Sequence, residues 1–491
     1  MADNAIPSTT PLPGQNRPNR NIGIAIGLAL FCLILLLPTP EGASVEAMRV
    51  LAVVALMASL WISEAIPVAA TALLPIVLYP LLGVMKSSQV TGSYANHLIY
   101  LFMGGFLIAV TMEKWNLHKR IALHVILRAG SSPQAVILGF MIATAFLSMW
   151  VSNTATTMMM LTIALALVKQ FDTNKSQPSD LNDNFSTALM LGIAYAASVG
   201  GTATLIGTPP NAILAGVFEE MYQQRITFAG WMAIALPIAS LMLICIWFYL
   251  TRWAYPSQME TIPGGRESIN TELEKLGPVS SEERWVFAVF VGAAVCWVLR
   301  GFIDWQPIEL VQDSTIAIAA ALLLFLLPSK SQKGERLLNW DTAVKIPWDV
   351  IVLFGGGFAI AKGFSHTGLT DWIAGQFTLL EGMNLIVIIG LIVTSVIFLT
   401  EVTSNTATAS LLLPLMGALA LTLHMDPYML MAATALACSY AFMLPAATPP
   451  NAIVYSSRRV TIMQMVKTGI FINILGALVL TIAFGVLLPS T

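Results

Sequence analysis

The pentapeptide Ser-Asn-Thr-Ala-Thr occurs twice, at 152–156 and 404–408, each time inside an apolar stretch. Serine and asparagine side chains offer neutral oxygens, and asparagine and threonine also offer donors. Neutral oxygens combined with backbone carbonyls suit Na⁺, while the donors suit a carboxylate oxygen of a ligand. Neither motif contains a lysine or arginine, so a bound anion there lacks a fixed countercharge. A bound cation would supply it. At an effective dielectric of about 20 and a separation of about 5 Å, each unit pair gains on the order of 3 kcal/mol. Cation and anion binding would then be coupled without a basic side chain.

A second element, Thr-Pro-Pro-Asn-Ala-Ile, recurs at 208–213 and 448–453. Proline removes a backbone donor and clashes with the preceding turn, so Pro209-Pro210 and Pro449-Pro450 are expected to end one half-helix and start another. Ahead of the first pair, Gly200, Gly201 and Gly207 further favour non-helical backbone. A helix broken at membrane depth frees carbonyl oxygens on one side and amide N–H groups on the other. The carbonyls can ligate a hard cation, and the N-terminal ends attract anions. A single motif of either kind reads as a cap, a kink or a simple break. Both motifs duplicated in one order read as a ligand site.

Composition sets the elements that must position these residues. The chain has 491 residues, 57% apolar and 10% charged, against about 25% charged in soluble domains. This is the composition of a polytopic membrane protein, with the lipid bilayer as solvent. The net charge of −2 argues against a nucleic-acid partner. Cys32, Cys245, Cys296 and Cys438 stand singly in apolar segments, without metal-ligand spacing, and are assigned neither disulfide nor metal. The Met158-Met159-Met160 run reads as packing. The proline-rich start does not resemble a signal peptide. There is no H-E-x-x-H, no G-x-S-x-G and no G-K-[ST] after the glycine-rich stretch, so nothing supports an enzyme.

Apolar stretches of spanning length fall at 22–37, 47–62, 66–84, 97–113, 187–222, 228–251, 285–302, 315–327, 348–364, 427–456 and 463–488, about eleven crossings. Two further regions, 134–168 and 384–423, are each interrupted by Ser-Asn-Thr and are expected to be re-entrant hairpins. Such backbone is tolerated in a membrane only where protein or water covers it. With a cytoplasmic N-terminus, nineteen of the 24 basic residues fall inside, as the positive-inside rule requires, and the C-terminus is outside.

An internal repeat follows. Leu-Phe-Met-Gly-Gly-Phe-Leu-Ile-Ala at 101–109 matches Leu-Phe-Gly-Gly-Gly-Phe-Ala-Ile-Ala at 353–361, an offset of 252. Ser-Asn-Thr repeats at the same offset, and Thr-Pro-Pro-Asn at 240. Five crossings separate the copies, so the second is inverted. Inverted repeats with broken helices point to a secondary transporter with its site at the midplane. The stretches 113–127 and 363–379 read as interfacial helices leading into each hairpin. The expected division is a tail over 1–21, scaffold over 22–130, transport region over 131–252, loop and scaffold over 253–382, and transport region over 383–491. Glu401 lies in a hairpin arm where the first repeat has Met149. Structural hydrogen bonding and proton carriage are both open to it. The five histidines show no pairing pattern.

These paired motifs resemble the divalent anion:sodium symporter family, whose INDY-type members are di- and tricarboxylate cotransporters. The resemblance extends over nearly the whole chain after residue 20. It implies an all-α homodimer in the plasma membrane, an elevator mechanism, and Na⁺-coupled uptake of C4 dicarboxylates such as succinate, fumarate and malate with two or more Na⁺. One sodium site would use Ser148, Ser152, Asn153 and the backbone at Gly201. The other would use Thr400, Ser404, Asn405 and the backbone at Ala447. Substrate carboxylates would meet Asn153, Thr154, Asn405 and Thr406, helped by Thr202 and Thr448. Some members of the family are sodium-independent exchangers, and permeation of citrate or sulfate is the further alternative.

Overall fold

The computed structural model describes residues 19–173, 184–257, 261, 265–300, 311–377 and 382–487. The expected tail therefore lies outside the described residues up to position 18, as do the far ends of the stretches 285–302, 363–379 and 463–488. Among the described residues the chain is helical, and the only strand-like pairing is an isolated bridge between Pro328 and Arg336.

Two hairpins stand where Ser-Asn-Thr interrupts the apolar runs. The first joins Pro133–Ser148 to Asn153–Thr173, and the second joins Leu385–Thr400 to Asn405–Thr422. Each is preceded by a long helix and a short one, His97–Lys114 then Leu117–Ala129, and Trp348–Thr367 then Leu369–Gln376. The corner between them is made by a left-handed residue in both copies, Asn116 (φ 57°) and Gly368 (φ 72°). Left-handed backbone is the usual helix stop, with glycine or asparagine supplying it. The hairpin bases also repeat. Ser132 accepts from the Ala135 amide at 3.3 Å, and Asn384 accepts from the Ile386 amide at 2.9 Å. Each side chain thereby satisfies one orphan N–H of a helix start.

Both Thr-Pro-Pro-Asn segments break a helix. The halves are Asn184–Gly201 with Pro209–Tyr222, and Pro427–Ala437 with Pro449–Ser456. The prolines sit in the first turn of the second half, where a missing N–H costs nothing. They do not end the first half, which stops well before them. In the first repeat it stops at the Gly200-Gly201 pair, and in the second it stops earlier because other groups hold the freed backbone, as described below.

The half-helix Asn184–Gly201 is buried on every face from Phe185 onward, so it forms the axis of the molecule. The outside shows large apolar side chains in abundance, among them Phe287, Leu322 and Ile474, about half exposed. Such a surface suits hydrocarbon and not water. Among the described residues, six helices are long and apolar enough to cross a membrane: Val45–Ser63, Ser87–Lys114, Phe228–Ala254, Trp348–Thr367, Asn405–Thr422 and Ile462–Val486. The stretch 66–84, expected as one crossing, is instead two short helices, Val68–Thr71 and Leu74–Leu81. Pro75, in the first turn of the second helix, lacks the amide that would bond back to the Thr71 carbonyl in a continuous helix, whereas Pro67 caps the first helix and Pro80 lies inside the second.

Candidate functional site

Each hairpin tip is locked to its broken helix by one hydroxyl and one amide. Ser148, at the end of the first arm, donates its hydroxyl to Asn153 Oδ1 and lies 2.7 Å from the Ala197 carbonyl oxygen. Thr400 in the second hairpin donates to Asn405 Oδ1 at 2.6 Å and lies 3.0 Å from the Cys438 carbonyl oxygen. Both hydroxyls are fully buried, whereas the Ser152-Asn153-Thr154 and Ser404-Asn405-Thr406 tips are half-buried. A covered base and an accessible tip are what a binding loop needs.

The second arms begin at the motif. Ser152 Oγ accepts from the Ala155 amide at 3.2 Å and Ser404 Oγ from the Ala407 amide at 3.5 Å, so each serine caps its helix. Each repeat therefore gathers two helix C-terminal ends, with free carbonyls, and two N-terminal ends, with free N–H groups. The carbonyl ends favour a cation and the amide ends an anion.

Glycine is required at the break by contact. A Cβ on Gly201 would stand 2.6 Å from Asn153 Oδ1 and 3.0 Å from its Nδ2, so the Asn153 amide lies flat against the Gly201 backbone. Gly207 is pressed against the Gly201 carbonyl in turn. The position equivalent to Gly207 in the second repeat is Ala447, which donates its amide to the Leu444 carbonyl at 3.2 Å. Thr202 is fully buried. It donates its hydroxyl to the Val199 carbonyl at 2.6 Å, while its own carbonyl accepts from the Trp231 indole at 3.0 Å. Thr448 is buried and accepts from the Asn451 amide at 3.4 Å.

Two residues that the motif reading passed over hold the unwound segments. Asn211 Nδ2 donates to the carbonyls of Thr202 and Thr204, at 3.0 and 2.7 Å, and approaches that of Gly201 at 3.5 Å. Asn451 Nδ2 donates to the carbonyls of Ala441 and Leu444, at 3.1 and 3.0 Å. Their duplication inside Thr-Pro-Pro-Asn was the signal available in the sequence, where attention went to the prolines.

Glu401 is buried and accepts everything that touches it. Oε1 receives the amides of Phe442 at 2.6 Å and Met443 at 2.9 Å, together with Asn473 Nδ2 at 2.7 Å, and Oε2 receives the Leu444 amide at 3.1 Å. These amides belong to backbone whose first-repeat counterparts, Thr202, Ala203 and Thr204, lie just beyond the helix end at Gly201. There the counterpart Met149 uses its carbonyl instead, accepting from Thr204 Oγ1 at 2.5 Å. The pair of positions is the same and the bond runs the same way, with a side-chain donor and backbone acceptor in the first repeat and a backbone donor and side-chain acceptor in the second. Among the described residues, the fully or nearly buried charged side chains are Arg120, Glu282, Glu283, Asp313 and Glu401. No buried cation stands at either tip, and no cluster of metal-ligating acids, histidines or cysteines is present among the described residues.

The two repeats interlock. The arm Asn153–Thr173 packs on Pro449–Ser456, and the arm Asn405–Thr422 packs on Pro209–Tyr222. Each tip region is thus supported by the other copy's broken helix.

Duplicated helical hairpins and broken helices in a lipid-suited shell define a multi-pass, all-helical membrane transporter. The same fold is found in the YdaH transporter of Alcanivorax borkumensis (TM-score 0.58, 14% identity, covering 96% of this chain and 98% of that one). It is also found in MtrF of Neisseria gonorrhoeae (TM-score 0.59, 12% identity, 96% of each chain). The chain belongs to the family described as the sodium:sulfate symporter transmembrane region, which it matches over residues 19–488. It is 42% identical over 474 residues to the sodium-dependent dicarboxylate transporter SdcS of Staphylococcus saprophyticus, covering 95% of this chain and 91% of the relative. The SdcS protein of Staphylococcus aureus strain MRSA252 is similar to the same degree over 475 residues.

Proposed function

We propose that the protein imports C4 dicarboxylates such as succinate, fumarate and malate by symport with two or more Na⁺. The carrying observation is the duplicated tip, in which a buried hydroxyl orients an asparagine amide against broken-helix backbone with no basic residue present. One cation sits among Ser148, Ser152, Asn153 and the Gly201 backbone, the other among Thr400, Ser404, Asn405 and the Ala447 backbone. Asn153, Thr154, Asn405 and Thr406 present donors to the substrate carboxylates, with Thr202 and Thr448 lining the break. The cations supply the countercharge, which makes transport depend on them. The names of the SdcS relatives support this reading.

The same reading takes the chain as a plasma-membrane homodimer with its N-terminus cytoplasmic, its C-terminus outside and eleven crossings. Regions 131–252 and 383–491 move as an elevator past a scaffold formed by 22–130 and 253–382, and the protein performs no chemical catalysis. Labelled succinate uptake into proteoliposomes tests it. Uptake should require an inward Na⁺ gradient and carry net positive charge when more than two Na⁺ accompany a dianion. Equal uptake in choline and Na⁺ buffers, driven only by trapped dicarboxylate, would make the protein an exchanger.

A further inference from the structure

We infer that Asn211 and Asn451 are positioning residues that set the affinity of the two cation sites without touching the cations. This rests on the sodium-site reading above. An unwound segment presents several carbonyl dipoles to one small volume, and they repel unless each is satisfied. A carboxamide nitrogen has two protons. In the first repeat Asn211 spends them on Thr202 and Thr204 and leaves Gly201, at 3.5 Å, the weakest contact and the one free to turn to a cation. In the second repeat Asn451 ties the carbonyls of Ala441 and Leu444, so the segment leading to Ala447 is fixed from its far side. Both asparagines are fully buried, and the Oδ1 atom of each has no partner. An unpaired buried acceptor costs about 1–3 kcal/mol. A residue kept for stability alone would not carry that cost at the same position of both repeats.

The test uses the full chain in proteoliposomes, with Asn211→Leu and Asn451→Leu, of similar volume and without donors, and Asn211→Ser and Asn451→Ser, which keep one donor. The Na⁺ concentration for half-maximal succinate uptake should rise about tenfold or more with leucine and less with serine, about 1.4 kcal/mol per tenfold. The succinate concentration for half-maximal uptake, at saturating Na⁺, should stay within about threefold. Unchanged Na⁺ half-saturation in the serine variants, with only the maximal rate reduced, overturns the assignment. Asn153→Ala run alongside separates the two readings, because normal Na⁺ dependence in that variant would remove the cation site itself.

A different observation carries a second inference. We propose that His97–Glu219 and Asp349–Arg459 are alternating polar latches on opposite faces. Glu219 Oε2 lies 3.1 Å from His97 Nε2, and its Oε1 lies 2.8 Å from Arg225 Nε. Arg300 and Asp313, paired at 2.9 Å, line the same cleft. Position 97 starts one long helix and position 219 ends the first broken helix. Moving by the repeat offsets of 252 and 240 gives Asp349 and Arg459, at the start of the other long helix and just beyond the second broken helix. The acid has moved to the other partner and a donor faces it in each case, which preserves an attractive pair.

The present structure makes the His97–Glu219 contact. Gly216 abuts the Phe358 ring, so Pro209–Tyr222 is closed down on Trp348–Thr367. The equivalents are Ser456 and Phe106, and Ser456 is exposed, as is Asp349. Exchange of the two repeats' arrangements, which the elevator reading entails, opens the first pair and closes the second. In a cysteine-free background, a short bifunctional thiol reagent should link His97→Cys to Glu219→Cys, and Asp349→Cys to Arg459→Cys, each link arresting transport. A molecule linked at the first pair should not link at the second. Formation of both links in one molecule overturns the proposal. Independently, Glu219→Arg should slow uptake about fivefold or more, and His97→Asp in the same chain should restore it. A double variant no faster than the single one also overturns it.

Discussion

Replacing Glu401 by methionine, the residue of the first repeat, tests whether this acid is a structural brace. The substitution removes both carboxylate oxygens from four donors: the amides of Phe442, Met443 and Leu444, and Asn473 Nδ2. Each buried donor left unpaired costs about 1–3 kcal/mol, so the three amides alone put the loss at about 3–9 kcal/mol. That is a large part of the ~5–15 kcal/mol that holds a domain together. Partial rewinding of the helix beyond Ala437, as the first repeat does up to Gly201, would bring the loss toward the lower figure. Glu401→Gln keeps one oxygen in place of Oε1 and gives up only the Leu444 amide, about 1–3 kcal/mol. Thermal unfolding of the detergent-solubilised protein, followed by the monodisperse fraction on size exclusion, reads both. Glu401→Met should melt far below wild type with transport lost, and Glu401→Gln should melt slightly lower with much of its transport kept. A Glu401→Met protein as stable as wild type would refute the brace. Full loss of transport in a stable Glu401→Gln protein would instead make the acid a proton carrier.

Asn153→Ala and Asn405→Ala should each abolish Na⁺-driven succinate uptake at normal expression, and a wild-type rate in either would remove the site assignment. Gly201→Ala should raise the Na⁺ requirement strongly, because the new Cβ would stand 2.6 Å from Asn153 Oδ1 and displace the amide; unchanged Na⁺ dependence would show that this contact does not matter. Cysteines placed at the hairpin bases, Ser131→Cys and Gly382→Cys, should react from opposite sides of the membrane with an impermeant thiol reagent, 382 from outside and 131 from inside. Labelling of both from one side would mean parallel repeats. His118, on the interfacial helix Leu117–Ala129, is buried with its Nδ1 3.2 Å from the Met112 carbonyl oxygen, and burial lowers its pKa from 6.5 to about 4. A depressed folded-state value means that its stabilising contribution is whole above the unfolded pKa and is lost as pH falls toward the folded one. Stability should drop by about 3 kcal/mol between pH 6.5 and 4. His118→Phe should flatten that part of the pH–melting curve, and an unchanged curve would place the acid sensitivity elsewhere.

Much of the architecture was legible in the sequence because membrane folding exaggerates local signals. Interrupted apolar runs gave both hairpins with the breaks at Ser152–Asn153 and Ser404–Asn405, since a polar tip inside an apolar run has few other solutions. The family resemblance placed Ser148 beside Asn153 and Thr400 beside Asn405, and each of these pairs is hydrogen-bonded. The reading failed where one residue type has two uses. The proline pairs were expected to end one half-helix and start another, and they start the second halves while the first halves stop well before them. The break before Pro75 divided what hydropathy alone read as one crossing over 66–84.

The chain by itself determined the duplication of the motifs, the neutral character of the two tips and the absence of a basic residue in them. These are properties of residue order and charge, and no packing can alter them. Only the tertiary structure decided what Asn211, Asn451 and Glu401 do. Their partners are carbonyls and amides at Thr202, Thr204, Ala441, Phe442 and Leu444. Backbone groups are chemically identical at every position of a chain, so sequence carries no mark of which ones a break will leave unpaired. That is settled when helices end where packing makes them end, and the side chains that reach the orphaned groups then acquire their roles.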